Sequence, residues 1–295
     1  MNHTAGTIVV GVDGSEQSER ALTWAVELAT AERRSLTLVH AINDVMSAYP
    51  QAPIAAPGEA RDALRAAGHD LLRQAHAAVG RLDPELVVHE VFRLDDPRAV
   101  LLELSRDAHM VVVGSRGRGK VRSLLLGSVG VALVRHAECP VVVHRPGNAG
   151  TVCNGVLVGA DSSPESLAVL RFAYQQASLR DLPLTVLHCY RDVPALAYDR
   201  YVVPPLVIDV ESERLGLAES MAGFAEKYPD VRVRTEIIND APQDAMVKLG
   251  ERMNLVVIGS HQSGPVSQML FGMVSVSVVE HAICPVAVLP LAAPS

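Results

Sequence analysis

Glycine and positively charged residues alternate in one short segment of the chain, and this combination favours binding of a polyphosphate. Residues 114–120 read Gly-Ser-Arg-Gly-Arg-Gly-Lys, and residues 127–130 read Gly-Ser-Val-Gly. Glycine lets the backbone approach an anion closely, so that several amide groups point at it. Four positive charges lie in or beside this segment: Arg116, Arg118, Lys120 and Arg122. We therefore expect the segment to hold phosphate groups, helped by helix-start amides and a hydroxyl at the second glycine cluster.

This segment nearly matches two catalytic motifs, but it lacks one required residue of each. The P-loop pattern G-x4-G-K is present, yet Val121 stands where Ser or Thr is required, and the loop follows the fourth strand of its domain instead of the first. The nucleophile elbow G-x-S-x-G needs glycine at position 126, where the chain has Leu. The segment could also be a purely structural glycine turn, and its basic residues could simply be solvated.

The chain contains the same four sequence blocks twice, in the same order. IVVGVDGS at 8–15 returns as VLVGADSS at 156–163, and LTLVHA at 36–41 returns as LTVLHC, both with an offset of 148 residues. MVVVGS and HAECPVVV return as LVVIGS and HAICPVAV with an offset of 145. A repeat this long is a duplicated domain. We predict domains at 1–147 and 154–295, joined by a linker rich in Gly, Pro and Asn.

Short apolar runs alternate with segments of helical period in the first copy, which predicts a parallel α/β sheet. The predicted strands are 7–12, 36–42, 86–93, 110–114 and 140–144. The predicted helices are 16–33, 60–79, 96–108 and 123–137, and Ser15 is the expected N-cap of the first. Five such strands fit the doubly wound order 3-2-1-4-5 with helices on both faces. In that order a crevice opens at the carboxyl ends of strands 1 and 4, where the loops starting at Gly11 and Gly114 meet.

The residues in these loops resemble those of the universal stress protein family. Gly114-x2-Gly117-x9-Gly127-Ser128 matches the phosphate-loop pattern of its ATP-binding members at every defined position. The Val12-Asp13 pair and the His-x2-Cys-Pro-Val block before the last strand fit the same family, and with the duplication the resemblance covers nearly the whole chain. It implies two tandem flavodoxin-like domains of the adenine nucleotide alpha hydrolase-like type, with ATP between the two loops.

Carried over by position, the resemblance assigns the contacts of the nucleotide in the first domain. It places Asp13 near the ribose or adenine and Ala41 beside the adenine. The sugar and phosphates are lined by Val113, Gly114, Gly117, Gly127, Ser128 and Val129. Val12 and Arg116 complete the expected set, and Mg²⁺ is expected to accompany the phosphates.

Several polar residues also have simpler interpretations. Asp13 can cap the helix that follows it. His40 and His188 stand at equivalent strand ends and are expected to pack or hydrogen-bond there. His136-x2-Cys139 and His281-x2-Cys284 each have the spacing of half a zinc site, but each Cys precedes a Pro entering an apolar strand, so we expect these residues in the core.

The second copy departs from the pattern and is expected to bind ATP weakly or not at all. It keeps Asp161, Gly259 and Gly272, but Gln262 replaces the glycine equivalent to Gly117, and Met273 replaces Ser128. If that glycine needs a left-handed backbone, the two changes weaken binding roughly 30-fold to 100-fold. Gly264 is the one residue that we expect could reshape the loop.

The amino-acid composition argues against several classes of protein. Hydrophobic residues make up 49 % of the 295 residues and the formal net charge is −7, which argues against a general nucleic-acid or membrane surface. We find no secretory signal and no apolar run near the ~20 residues that span a bilayer, so we expect a cytoplasmic protein. Four cysteines are too few for a disulfide scaffold.

The predicted function is an ATP-binding regulatory protein of the stress response, in which nucleotide occupancy controls partner binding or assembly. The alternative is a slow ATPase or nucleotidyl transferase using the same site, and an interaction module is a third interpretation, mainly for 154–295. We see no general base for water, so hydrolysis should be slow. The family pairs valine-rich edge strands such as 140–144 and 285–289, and we expect a homodimer and an unidentified protein partner.

Overall fold

The computed structural model describes the chain at residues 5–44, 57–117, 126–145, 154–190, 196–198, 201–203, 209–261 and 267–291. The chain divides into two compact units, Met1–Pro146 and Gly147–Ser295. Each unit is an α/β domain, as the duplicated sequence blocks predict.

The first unit alternates strands and helices along its length. Its elements are β1 (Ile8–Gly11), α1 (Glu16–Glu32), β2 (Leu36–Ala41), α2 (Pro57–Leu82), β3 (Val88–Arg93), α3 (Pro97–Ser105), β4 (Met110–Gly114), α4 (Ser128–His136) and β5 (Val141–His144). Neighbouring strands are parallel, and their order is β3-β2-β1-β4-β5.

The central strands are buried on both faces of the sheet. No surface of Ile8, Val9 or Val10 is exposed, and Met110 and Val111 are equally buried. Helices α1 and α2 pack against each other, as do α3 and α4, and all four contact strands. Burial of continuous apolar runs is what a parallel sheet covered on both faces requires. The predicted fold class, an α/β domain with a covered parallel sheet, is confirmed.

Helices α3 and α4 do not begin and end at the predicted residues, because local caps determine where each helix starts. Helix α3 begins at Pro97 because the side chain of Asp96 accepts a hydrogen bond from the Arg98 amide, and the helix ends at Ser105 instead of 108. Helix α4 begins at Ser128, with Gly127 as its N-cap in an extended conformation. Leu126 and Gly127, predicted to be helical, therefore precede the helix, and 123–125 lie outside the described residues.

The second unit repeats the architecture. Its elements are β6 (Val156–Gly159), α5 (Ser166–Leu179), β7 (Leu184–Tyr190), β8 (Leu196–Tyr198), β9 (Tyr201–Val203), α6 (Val210–Lys227), β10 (Val233–Asn239), α7 (Pro242–Gly250), β11 (Leu255–His261), α8 (Ser267–His281) and β12 (Val286–Leu291). The five long strands follow the order β10-β7-β6-β11-β12 and are parallel. Strands β8 and β9 form a small antiparallel ribbon within the segment that follows β7.

Two glycines of α2 allow a matched test of how this helix packs on the sheet. A Cβ added at Gly68 would lie 2.1 Å from Cε2 of Phe92 in β3, whereas no atom lies within 4 Å of one added at Gly80. We expect Gly80→Ala to raise the free energy of unfolding by about 0.5–1 kcal/mol, since alanine favours helix. Gly68→Ala should gain the same amount from helix propensity. Its methyl group would, however, overpack the contact with Phe92, which should lower the free energy of unfolding by about 1–3 kcal/mol.

Chemical denaturation followed by circular dichroism measures both variants. The expected order of stability is Gly80→Ala, wild type, Gly68→Ala. Equal stabilisation by both alanines would show that α2 does not depend on the close contact with Phe92.

Candidate functional site

A cavity of about 570 Å³ opens at the carboxyl ends of β1 and β4 in the first domain. This is within the usual range for sites that bind small ligands. All ten residues predicted to contact a nucleotide in this domain line it: Val12, Asp13, Ala41, Val113, Gly114, Arg116, Gly117, Gly127, Ser128 and Val129. The sheet thus brings these residues together from four separate stretches of the sequence. Their contacts with a nucleotide stay a prediction.

The loop after β1 is organised by hydrogen bonds around Asp13. The Ser15 amide and hydroxyl both donate to Asp13 Oδ1, over 3.0 and 2.6 Å. Ser15 Oγ in turn accepts from the Ser18 amide and is the N-cap of α1, as predicted. Asp13 is therefore not itself the cap. Its carboxylate orients the capping serine and lies at the wall of the cavity.

The second loop contacts the first at Gly117. A Cβ added at Gly117 would lie 2.4 Å from Asp13 Oδ2, closer than any real side chain approaches. The backbone of Gly117 is not left-handed, since the described glycines with positive φ are Gly6, Gly14 and Gly155. The expectation that a left-handed backbone makes glycine necessary here is therefore wrong. Glycine is needed because the Asp13 carboxylate occupies the space of a side chain.

Two helices direct their amino ends towards the cavity. Gly127 has no side-chain hydrogen bond to the first turn of α4, and Ser128, Val129 and Gly130 of that turn line the cavity. Amide groups in a first turn have no acceptor within their helix and carry the positive end of the helix dipole. Gln17 and Ser18, at the start of α1, line the same cavity. The start of α4 therefore favours an anion, whereas the first turn of α1 carries Glu16 and Glu19 and its Ser18 amide already donates to Ser15 Oγ.

The other side of the cavity is apolar. Val39 and Ala41 come from the end of β2, and Pro97 and Leu101 come from α3. A Cβ at Gly11 would lie 3.3 Å from a Leu101 methyl group, so α3 packs closely on β1 here. Apolar walls of this kind suit a flat heterocycle.

Sequence reasoning missed several lining residues. Val39, Pro97 and Leu101 reach the cavity only because β2 and α3 flank β1, and Gln17 and Ser18 reach it because α1 starts at its edge. The predicted strand order would have identified the ends of β2 and α3 as neighbours, but not which side chains point inward. Arg116 lines the cavity, whereas Arg118, Lys120 and Arg122 lie outside the described residues.

The two strand-end histidines hold the first loop of each domain. His40 Nδ1 lies 2.6 Å from the Val12 carbonyl oxygen, and His188 Nδ1 lies 3.1 Å from the Ala160 carbonyl oxygen. A carbonyl oxygen only accepts, so each ring nitrogen is the donor. The expectation that these residues hydrogen-bond near a strand end is confirmed.

The second domain keeps the aspartate cluster of the first loop. Asp161 Oδ1 accepts hydrogen bonds from Ser163 and Ser166. Burial raises the pKa of the Asp161 carboxyl, but these hydrogen bonds outweigh it and hold the pKa below its usual value. The loop backbone differs, because Gly14 has a φ of 72° and its counterpart Ser162 is not in the left-handed region.

The glycines kept in the second domain have other surroundings. A Cβ at Gly259 would lie 2.5 Å from a Leu291 methyl group, whereas one at Gly114 would lie 2.8 Å from the Gln17 carbonyl carbon. Gly272 lies inside α8, which begins at Ser267, while its counterpart Gly127 precedes α4. The amides after Gly272 are thus in a helix interior. Gln262 and Gly264 lie outside the described residues.

No cluster of three or more His, Cys, Asp or Glu residues suited to a metal is present in the described parts of the chain. Cys139 and Cys284 are buried in the core, and neither they nor Cys189 form a disulfide. Within these same parts no helix has the length and hydropathy needed to cross a membrane.

The fold and site define a class of protein with two tandem flavodoxin-like domains and a glycine-lined cavity where β1 meets β4. A family model described as the universal stress protein family matches residues 4–145 and 154–290. The chain belongs to this family.

Two relatives agree with this assignment, and a solved structure shares the fold. A universal stress protein of Mycobacterium tuberculosis is 36 % identical over 289 residues, covering 95 % of this chain and 96 % of the relative. One of Mycolicibacterium smegmatis is 34 % identical over 292 residues, with coverage of 95 % and 96 %. The crystal structure of a universal stress protein from Archaeoglobus fulgidus has a TM-score of 0.68 at 18 % identity, covering 99 % of this chain and 98 % of that one.

The burial of Cys139 predicts an unreactive thiol. Burial raises the pKa of Cys139 to about 12, so almost no thiolate forms at pH 8, and the thiolate is the reactive species. We expect iodoacetamide at pH 8 to leave Cys139 unmodified in the native protein and to alkylate it fully in urea, measured by peptide mass spectrometry. Equal rates of Cys139 alkylation in the native protein and in urea would show that this thiol is open to solvent.

Proposed function

We propose that the first domain binds ATP and that the protein acts as a nucleotide-dependent regulator in the stress response. The observation that carries the proposal is the convergence of ten predicted contact residues from four stretches of sequence on one cavity. The cavity lies at the topological switch point of the sheet, where ligands bind in open α/β folds.

The phosphates are expected at the glycine-rich side of the cavity. Gly117 and the first turn of α4 line this side, and the described part of the loop contributes Arg116. Unpaired helix-start amides, a hydroxyl at Ser128 and a guanidinium are complementary to a negatively charged triphosphate. The remaining loop charges at 118–122 would add to this attraction.

The base and sugar are expected at the apolar side. Val39, Ala41, Pro97 and Leu101 surround a space suited to a planar ring. Asp13 lies between the two sides, where a carboxylate oxygen can accept a hydrogen bond from a ribose hydroxyl or an amino group of the base.

Mg²⁺ fits this proposal as a companion of the phosphates. Asp13 is the sole carboxylate among the described residues that line the cavity, and its Oδ1 already accepts two hydrogen bonds. A single engaged carboxylate is not a metal cage, but Mg²⁺ ordinarily keeps several waters and binds through substrate phosphates.

The same set of residues favours binding and regulation over rapid catalysis. The described lining residues contain no His, Cys or Lys that could serve as base or nucleophile. The Asp13 carboxylate already accepts a hydrogen bond from the Ser15 hydroxyl. Occupancy of the cavity would instead change the loops that carry Asp13 and Gly117, and with them the surface offered to a partner protein or a second copy of the chain.

Calorimetry with Mg²⁺-ATP tests the binding proposal. We expect about one tight site per chain. In the second domain α8 begins before Gly272, so the amides that the start of α4 offers in the first domain lie inside a helix there. Gly117→Ala should weaken binding by roughly tenfold, since the new methyl group displaces the Asp13 carboxylate. Gly117→Gln, which copies the second domain, should weaken it further. Gly80→Ala is the matched control and should bind like wild type.

Two results would contradict this proposal. One is no detectable binding by the wild-type chain, and the other is two equal tight sites per chain that persist in Gly117→Gln.

Turnover separates the regulator from the alternative, a slow ATPase or nucleotidyl transferase. Because no base is positioned for water among the described lining residues, phosphate release should stay well below about 1 s⁻¹ at saturating ATP. A coupled phosphate assay measures it, with Gly117→Gln as the background for contaminating activity. A rate of several per second that falls in this variant would favour the enzyme.

A further inference from the structure

A second cavity of about 620 Å³ lies between helices α1 and α2 of the first domain, and we name it the α1–α2 groove. Leu22 of α1 and Leu71, Ala75 and Ala78 of α2 form its apolar walls. Its volume is in the range of small-molecule sites. Nothing in the proposed nucleotide site uses this space.

Helix α2 is held close to β3 at the start of the groove. Gly68 lets the helix approach the Phe92 ring closely, and the rings of His69 and Phe92 lie 5.1 Å apart. Three residues further along α2, Leu71 lines the groove together with Gly14 of the first loop. The groove therefore lies where the second half of α2 faces the first turns of α1.

The second domain has other residues at this place. Its counterparts of Leu71 and Gly14 are Gly216 and Ser162, at the offsets of 145 and 148 residues. A Cβ on Gly216 would lie 3.0 Å from that of Ser162, so α6 packs directly on the loop. Glu213 of the same helix also contacts His188, with 3.2 Å between Oε2 and Nε2.

Aromatic rings join the equivalent helices of the second domain, but at a different place. The Tyr174 ring of α5 stacks on Phe224 of α6 with ring centroids 5.0 Å apart, and the Tyr228 ring lies 5.8 Å from that of Tyr174. The first domain has Val26 and Val79 at the positions of Tyr174 and Phe224. Both valines are buried and neither lines the groove, so the groove lies outside this part of the helix contact.

The charge at the groove favours an anion at one end. Arg81 lies in the last turn of α2 and lines the groove, and it makes no ion pair with any described residue. The second copy has Glu226 at this position. The acidic residue of the groove, Glu19, lies in the first turn of α1, away from the Arg81 end.

We infer that the α1–α2 groove is a second ligand site, for a small organic anion with an apolar body. The apolar body would occupy the space between Leu22, Leu71 and Ala78, and the anionic group would lie at Arg81.

Such a ligand would affect the nucleotide site. Val12 and Ser18 line both cavities, so the loop that carries Asp13 is a shared wall. A ligand that favours one position of this loop must change the affinity for ATP, and ATP must change the ligand's affinity by the same factor. This second step rests on the proposed ATP binding, whereas the existence of the site does not.

Titration of the full chain with anilinonaphthalene sulfonate, an aromatic sulfonate whose fluorescence rises on binding, tests the site. We expect one site per chain. Ala78→Phe fills the groove and should weaken binding by at least about tenfold, and Arg81→Gln should weaken it roughly fivefold. Ala66→Phe and Arg73→Gln are matched controls on exposed positions of α2 outside the groove, and both should bind like wild type.

Unchanged probe binding in both Ala78→Phe and Arg81→Gln would overturn the proposal, and Arg81→Gln keeps the test valid if the larger change unfolds α2. Loss of probe binding in step with self-association, as protein concentration is raised, would assign the groove to a second copy and also overturn it. Saturating ATP should shift the probe's dissociation constant. A chain that binds probe but no ATP would refute the proposed function and leave the groove site standing.

Discussion

The contact between Asp13 and Gly117 is the constraint on which the first domain's site depends. It joins the loop after β1 to the loop after β4, and a side chain at residue 117 would have to displace the Asp13 carboxylate. The same carboxylate holds Ser15, and Ser15 caps α1. One acidic side chain thus determines where a helix begins and how near the glycine-rich loop approaches, so the shape of the cavity follows from it.

The duplication shows two packing arrangements for one architecture. Both domains have the same strand order, the same histidine at the end of the second strand and an aspartate that organises the first loop. They differ in small residues that decide helix positions. Gly68 lets α2 approach β3, whereas Gly216 lets α6 approach the first loop. Gly216 is the counterpart of Leu71, three residues beyond Gly68, so the closest contact of the helix falls at a different place in each domain.

The chemistry of the first site is that of recognition. Its anion-directed groups are backbone amides at the start of α4, which are already oriented and need no reorganisation when a ligand arrives. Its apolar groups come from a strand end and a neighbouring helix. A site of this composition stabilises a bound nucleotide in one orientation, but it has no described side chain that would take a proton from water. The free energy of nucleotide binding can therefore stabilise a changed arrangement of the loops around the site.

The duplication, the central strands and the glycine loops follow from the amino-acid sequence alone, because each depends on local patterns that repeat along the chain. The sequence also identified Ser15 as a cap and the strand-end histidines as packing or hydrogen-bonding residues. The close approach of Gly117 to the Asp13 carboxylate, the part of Pro97 and Leu101 in the cavity and the groove between α1 and α2 became visible only in the folded chain. These features depend on contacts between side chains distant in sequence, which a local pattern does not encode.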